Sequence, residues 1–238
     1  MIGVYNYSVI LTYLGVGLSL FGITQALSGN FDIAILCLAL AGACDTFDGK
    51  VARSMKNRTE EQIIFGIQID SLCDMVCFGV LPIVICYKLG MKHIYSMVIL
   101  IFYGLAGLIR LAYFNVTEMK RQEESDEARK YYQGLPITSM AIALPVFFVL
   151  SPLIRNVQVR LCVLHVLVAA VGLLFIINFR LRKPSPREVF ILVGIVALAV
   201  IVLMFVWEGW LFFLHRYLYR FLGKTFKTAF LIVGGLAV

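Results

Sequence analysis

Four aspartates, Asp45, Asp48, Asp70 and Asp74, lie in sequence that is otherwise apolar enough to enter a membrane. The first pair is spaced i, i+3 and the second i, i+4, so in helices each pair occupies one face. Buried charges are costly unless they are paired or bind metal, and acids within a membrane are candidates for function. Carboxylate oxygens suit Mg²⁺, Mn²⁺ and Ca²⁺. Two such helices side by side are therefore predicted to form a divalent-metal site.

The composition places this site in a membrane protein. The chain has 238 residues, 61% hydrophobic and 15% charged, whereas soluble domains average about 25% charged residues. Since a spanning helix needs about 20 apolar residues, the length allows about six to eight spans and no separate soluble domain. The net charge of +7 comes mostly from Lys and Arg in short loops, so nucleic acid is not an expected partner.

The predicted fold class is an all-α, polytopic bundle of transmembrane helices. Six core spans are followed by a seventh and by a C-terminal helix that is either interfacial or an eighth span. We expect a six-helix domain over residues 1–183 and a membrane extension over 184–238. A charged connector is predicted over 117–133. The spans are predicted at about 7–27, 31–53, 63–87, 93–114, 135–150, 161–177 and 189–207.

The two acidic pairs are predicted to lie at one depth, near one membrane face. Twelve uncharged residues precede Asp45 and thirteen follow Asp74, which corresponds to about 18 and 20 Å of a hydrocarbon core about 30 Å thick. Thirteen Lys and Arg residues fall in loops on that side and four on the other. By the positive-inside rule, the site and the N-terminus face the cytoplasm.

A cation transporter is a second hypothesis, since intramembrane aspartates also form ion paths. That function predicts acids near the midplane and broken helices in related halves. Here the acids lie near one face and no internal repeat is visible. Cys73 and Cys77, which flank Asp74, are alternative soft ligands, but a carboxylate-rich site favours hard cations.

The acids belong to a longer pattern, D-T-F-D-G-K-V-A-R over 45–53 and G-I-Q-I-D-S-L-C-D over 66–74. It resembles the signature of the CDP-alcohol phosphotransferase family, D-x-x-D-G-x-x-A-R followed by G-x-x-x-D-x-x-x-D, at every fixed position. The twelve-residue connector between Arg53 and Gly66 exceeds the usual eight or nine by about one helical turn. Three further stretches resemble the phosphatidylserine synthase branch: C-F-G-V-L-P at 77–82, R-L-A-Y-F-N at 110–115 and Y-Q-G-L-P at 132–136.

The resemblance implies transfer of the phosphatidyl group from CDP-diacylglycerol to the hydroxyl of L-serine, with release of CMP. It implies a homodimer in the cell membrane, with two Mn²⁺ or Mg²⁺ ions in each site. Asp45, Asp48 and Asp70 are then metal ligands, and Asp74 is the general base, which also contacts the metals. Glycerol 3-phosphate and an inositol phosphate are the alternative acceptors, and a phosphorylated acceptor favours additional basic residues around the pocket.

Five further residues are predicted to bind substrate. By the resemblance Gly49, Ala52 and Arg53 line the nucleotide site, and Arg53 suits a phosphate. Gly66, one turn before Asp70, leaves room for substrate against the backbone. Arg110, at the end of span four, is placed by depth to bind the serine carboxylate; the alternative is an ordinary positive-inside anchor.

Overall fold

The structure, a computed structural model, describes residues 7–54, 59–124 and 131–182, together with Ile195 and Leu198. Apart from those two residues, the predicted seventh span and C-terminal helix lie outside the described part of the chain. The two-part division at residue 183 therefore stays a prediction. The helices are α1 (Tyr7–Leu27), α2 (Phe31–Ser54), α3 (Glu60–Asp74), α4 (Leu81–Leu89), α5 (Ile94–Glu124), α6 (Met140–Leu150) and α7 (Val157–Ile176).

Several helices are long and apolar enough to cross a bilayer. Within the described residues four stretches meet both conditions, namely Val9–Leu27, Glu60–Leu89, Ile94–Met119 and Val157–Ile176, and a shorter apolar stretch covers Ile137–Leu153. Helix α2 has 24 residues, also enough to span, but it carries the first acidic pair. The protein is thus a multi-pass membrane protein with the predicted all-α, polytopic fold. The count of six core spans stays a prediction.

Helices α1 and α2 form a tight antiparallel hairpin. Gly29 reverses the chain with a φ of +86°, a conformation that glycine adopts without strain. Two glycines of α1 then bring the helices together: a methyl group added at Gly22 would lie 2.9 Å from Cβ of Cys37, and one at Gly15 would lie 3.6 Å from Cβ of Cys44. Small residues allow this close approach in membranes.

Helix α3 begins with a capping box. The Gln62 N–H donates to the Thr59 hydroxyl at 3.3 Å, and the Thr59 N–H donates to the Gln62 side chain at 3.2 Å. These bonds satisfy donors that a helix start leaves unpaired. The second half of the long connector, from Glu60 onward, is therefore helical.

Six residues in π-helical conformation, Met75–Val80, join α3 to α4. Pro82, two residues after this segment, has no N–H for the carbonyl four residues earlier, that of Phe78. The hydroxyl of Tyr103 on α5 donates to this carbonyl instead. The Tyr103 side chain is fully buried. The structure thus accommodates the proline through a widened turn and a donor from another helix.

Helix α5 is longer than predicted. It continues to Glu124, whereas the sequence placed the end of the span at Phe114 and a connector from Thr117. The charged residues beyond Thr117 extend the helix because they tolerate helical backbone once it leaves the apolar layer. On its buried side α5 packs against α7 at Gly172, where an added methyl group would lie 3.3 Å from the Tyr103 Cα atom.

The described ranges, which are otherwise mostly helical, contain a short antiparallel β-ladder that was not predicted from the sequence. Strand β1 (Tyr131–Gln133) pairs with β2 (Arg180–Arg182), so that Tyr131 lies opposite Arg182. The ladder joins the chain that enters α6 to the chain that leaves α7. It therefore lies beyond the end of α7, close to Arg110 on α5, which binds the backbone of the next two residues.

Candidate metal centre and active site

Three of the four predicted aspartates meet between α2 and α3. Asp45, Asp70 and Asp74 each offer one carboxylate oxygen, and these atoms all lie within 4.8 Å of one another. All three side chains are half-buried. The i, i+4 spacing places Asp70 and Asp74 on one face of α3, and α2 presents Asp45 to that face. We call these residues the aspartate cluster.

The cluster has the chemistry of a divalent-cation site. Three carboxylates this close repel one another unless a cation or a proton lies between them. Oxygens on opposite sides of a Mg²⁺ ion are about 4 Å apart, since each Mg–O bond is about 2.1 Å long. The cluster's oxygens lie within 4.8 Å of one another, and an all-carboxylate donor set suits Mg²⁺ or Mn²⁺. The residues present therefore fit a hard divalent ion.

Asp48 lies outside the cluster and has a partner on the first helix. Its side chain is buried, at 6% exposure, and its carboxylate accepts a hydrogen bond of 3.0 Å from the Thr12 hydroxyl. Helix α1 therefore contributes directly to the acidic region. Thr12 was not predicted from the sequence, although a hydroxyl within an apolar span was the available signal. A metal-binding role for Asp48 stays a prediction.

The predicted nucleotide-site residues follow Asp48 along α2. Gly49, Ala52 and Arg53 lie in the last turns of that helix, and Gly66 lies on α3 one turn before Asp70. They therefore flank the cluster toward the ends where α2 and α3 approach the connector. Their contacts with a nucleotide remain predictions from the motif.

A second hydrogen bond that the sequence did not reveal ties α3 to α5 beside the cluster. The Ser71 hydroxyl donates to the amide oxygen of Asn115 at 2.6 Å. Ser71 follows Asp70 in the chain, so this bond fixes the rotation of α3 next to the acids. Asn115 ends the R-L-A-Y-F-N stretch, and that stretch was the available sequence signal.

Arg110 lies on α5 and is buried, at 7% exposure. Its Nε donates to the Leu135 carbonyl at 3.0 Å and its Nη2 to the Gly134 carbonyl at 3.4 Å. A membrane-surface anchor would be exposed, so this alternative does not hold for Arg110. Binding of a serine carboxylate by the same guanidinium stays a prediction.

Comparison with known proteins identifies a matching family and several similar proteins. The sequence model of the family described as CDP-alcohol phosphatidyltransferase matches residues 5–177. The CDP-diacylglycerol–serine O-phosphatidyltransferase of Saccharomyces cerevisiae is 42% identical over 108 residues, which is 44% of this chain and 38% of the yeast protein. The Methanocaldococcus jannaschii protein of the same name is 27% identical over 179 residues, 75% of this chain and 76% of that protein.

A relative with a different name is also similar. The archaetidylserine synthase of Methanothermobacter thermautotrophicus is 29% identical over 140 residues, 58% of this chain and 56% of that protein. The chain spans less than half the length of the yeast relative and of the Mycobacterium bovis relative, at 38% and 46%.

Proposed function

This chain belongs to the CDP-alcohol phosphatidyltransferase family, and we propose that it transfers the phosphatidyl group of CDP-diacylglycerol to the hydroxyl of L-serine. The products are phosphatidylserine and CMP. The observation that carries the proposal is the meeting of Asp45 with Asp70 and Asp74, whose carboxylate oxygens lie within 4.8 Å of one another. A pyrophosphate donor requires such an anionic pocket for its counter-cations.

The aspartate cluster, with Asp48 beside it, would hold the divalent ions, Mg²⁺ or Mn²⁺. When bound, these ions neutralise the charge that develops on the donor phosphates. By the motif, Gly49 and Ala52 line the nucleotide site and Arg53 binds a phosphate. Thr12 keeps the Asp48 carboxylate in place through the 3.0 Å hydrogen bond.

Asp74 is the general base of the proposed reaction. The acceptor oxygen attacks the β-phosphorus as its proton passes to the Asp74 carboxylate, and the bond between that phosphorus and the CMP oxygen breaks. Ser71 and Asn115 hold α3 against α5 one turn away, so the base keeps its orientation toward the acceptor. The proton leaves Asp74 for water once CMP departs.

Serine is proposed as the acceptor for two reasons. The yeast and archaeal relatives carry names that share serine, although one name refers to a phosphatidyl and the other to an archaetidyl product. The stretches at 110–115 and 132–136 also resemble those of the serine-specific branch. Glycerol 3-phosphate and inositol phosphate are the alternative acceptors.

The proposed setting is the cell membrane, with the site open to the cytoplasm and the protein a homodimer. Residues 1–183 form the catalytic domain and residues 184–238 a membrane extension. The excess of Lys and Arg on the side of the acids supports this orientation. A lipid donor then enters laterally, and the water-soluble acceptor arrives from the aqueous side.

The test uses the full chain, purified in detergent, with CDP-diacylglycerol and a panel of acceptors. We expect CMP release with L-serine and Mg²⁺ or Mn²⁺, no release after EDTA treatment, and recovery when the metal is restored. Release with glycerol 3-phosphate or an inositol phosphate in place of serine would overturn the choice of acceptor. No release with any acceptor would contradict the proposed chemistry.

A further inference from the structure

The chain that enters α6, Tyr131–Pro136, is fixed to the end of α7 by its backbone, and we call it the crossing segment. The Gly134 N–H donates to the Phe179 carbonyl at 2.7 Å, and the Leu135 N–H donates to the Leu174 carbonyl at 3.2 Å. The second of these bonds satisfies one of the carbonyls that the end of a helix leaves unpaired. The crossing segment thus has a defined path although it is irregular.

Arg110 supplies the donors for the other two backbone groups. The Leu135 carbonyl accepts from its Nε at 3.0 Å and the Gly134 carbonyl from its Nη2 at 3.4 Å. A guanidinium presents several N–H groups in one rigid plane, so it can serve adjacent carbonyls together, whereas a Lys ammonium acts as a single point charge. Every backbone polar group of Gly134 and Leu135 is therefore satisfied, as buried backbone requires.

Ile137, the residue that follows the crossing segment, lies near Met75, the residue that follows the proposed base. A methyl group added at Gly107 would lie 3.0 Å from Cδ1 of Ile137 and 4.0 Å from the sulfur of Met75. Gly107 on α5 therefore lies close to both side chains. Met75 directly follows Asp74, so the chain passes the cluster on the side of α5.

Helix α6, which follows in the chain, packs against α2, the helix that carries Asp45. A methyl group added at Gly42 would lie 2.6 Å from Cβ of Ala141 on α6, and Gly42 precedes Asp45 by three residues on α2. The chain from Gly134 to Ala141 therefore leads from the end of α7, past α5, to both helices that carry the aspartate cluster. At its start this chain is held both by Arg110 and by the backbone bonds to Phe179 and Leu174.

We propose that Arg110 is a positioning residue that sets the acceptor side of the active site through the crossing segment. The guanidinium holds the backbone at Gly134 and Leu135, and this backbone forms the wall past which the acceptor reaches Asp74. The inference rests on the proposed transferase function. It differs from the prediction that Arg110 contacts the serine carboxylate directly.

Two variants perturb this wall independently, one at the guanidinium that holds it and one in its own backbone. Arg110→Lys keeps the charge and removes the planar pair of donors. Gly134→Ala leaves Arg110 intact, but Gly134 has a φ of +74°, and its new methyl group would lie 3.1 Å from the Ile177 carbonyl oxygen. Arg155→Lys is the matched control, because Arg155 is exposed in the short loop before α7.

Both variants are expected to raise the KM for serine on the order of ten-fold, while the KM for CDP-diacylglycerol changes less than about two-fold. The Arg155→Lys protein should retain both constants. If Arg110→Lys raises the KM for serine and Gly134→Ala leaves it unchanged, the guanidinium contacts serine itself and the proposal is overturned. Equal losses for both substrates would also overturn it.

Hydrogen exchange provides a readout that does not depend on activity. Amides of residues 131–139 should exchange faster in Arg110→Lys and in Gly134→Ala than in the unmodified protein, with no change at α1. Unchanged exchange in both variants would overturn the positioning role. If exchange is faster in the variants but the unmodified protein shows no transfer with any acceptor, Arg110 holds the crossing segment and the proposed transferase function is wrong.

Discussion

The Thr12 hydroxyl on α1 donates a hydrogen bond of 3.0 Å to the carboxylate of Asp48 on α2. It joins the first helix, which carries no acid within its span, to the acidic region of the second. Asp48 is buried, and a buried carboxylate depends on such donors. The pair therefore couples the stability of the helical hairpin to the geometry of the site.

Replacing Thr12 with valine is expected to lower both stability and activity. The loss of a donor to a buried charged group should reduce the free energy of unfolding by about 1–3 kcal/mol, measured by thermal unfolding in detergent. CMP release should fall in parallel, and Thr12→Ser should retain most of both. Thr24→Val is the control, because the Thr24 hydroxyl donates to the Phe21 carbonyl of its own helix. A Thr12→Val protein with normal stability and turnover would show that the bond is dispensable.

Asp74→Asn should abolish transfer while CDP-diacylglycerol still binds in the presence of Mg²⁺. An amide cannot accept the proton of the acceptor hydroxyl, and general-base catalysis is worth roughly 100- to 10,000-fold in rate. CMP release and equilibrium binding of the CDP-lipid measure the two effects. Asp32→Asn is the control, since Asp32 is exposed in the first turn of α2. Undiminished turnover in Asp74→Asn would rule this residue out as the base.

Tyr103→Phe is expected to destabilise the protein through the Phe78 carbonyl. The variant removes the donor to a buried acceptor that Pro82 leaves without its usual N–H, which should cost about 1–3 kcal/mol. In a Pro82→Ala background the new N–H can serve that carbonyl, so the cost of Tyr103→Phe should shrink. A double-mutant cycle by thermal unfolding measures this coupling. Additive effects of the two substitutions would contradict the assignment, and Tyr87→Phe, at an exposed tyrosine, is the control.

Gly42→Ala should disturb the contact between α2 and α6. The new methyl group would lie 2.6 Å from Cβ of Ala141, and overpacking of this kind costs about 1–3 kcal/mol. Adding Ala141→Gly should recover much of that loss, as thermal unfolding would show. Gly17→Ala is the matched control, because no atom lies within 4 Å of its added methyl group. If the double variant is no more stable than Gly42→Ala alone, the contact does not limit the approach of the helices.

The helices and the acidic residues could be predicted from the sequence because both depend on local pattern. An apolar run of the length of a bilayer predicts a spanning helix, and α1 has the predicted bounds of Tyr7–Leu27. Spacing alone places Asp70 and Asp74 on one helical face. The predicted end of the fourth span was wrong as a helix boundary. Charged residues were expected to follow the helix there, but α5 continues through them to Glu124.

The contacts between elements were decided by the tertiary structure. All four aspartates fit the motif equally well. Packing nevertheless brings Asp45 close to Asp70 and Asp74, and it places Asp48 within hydrogen-bond distance of Thr12. The burial of Arg110 against the backbone of Leu135 was likewise invisible in the sequence. Periodicity defines which face of a helix a residue occupies, whereas the rotation and the neighbours of that helix follow from close packing between residues far apart in the chain.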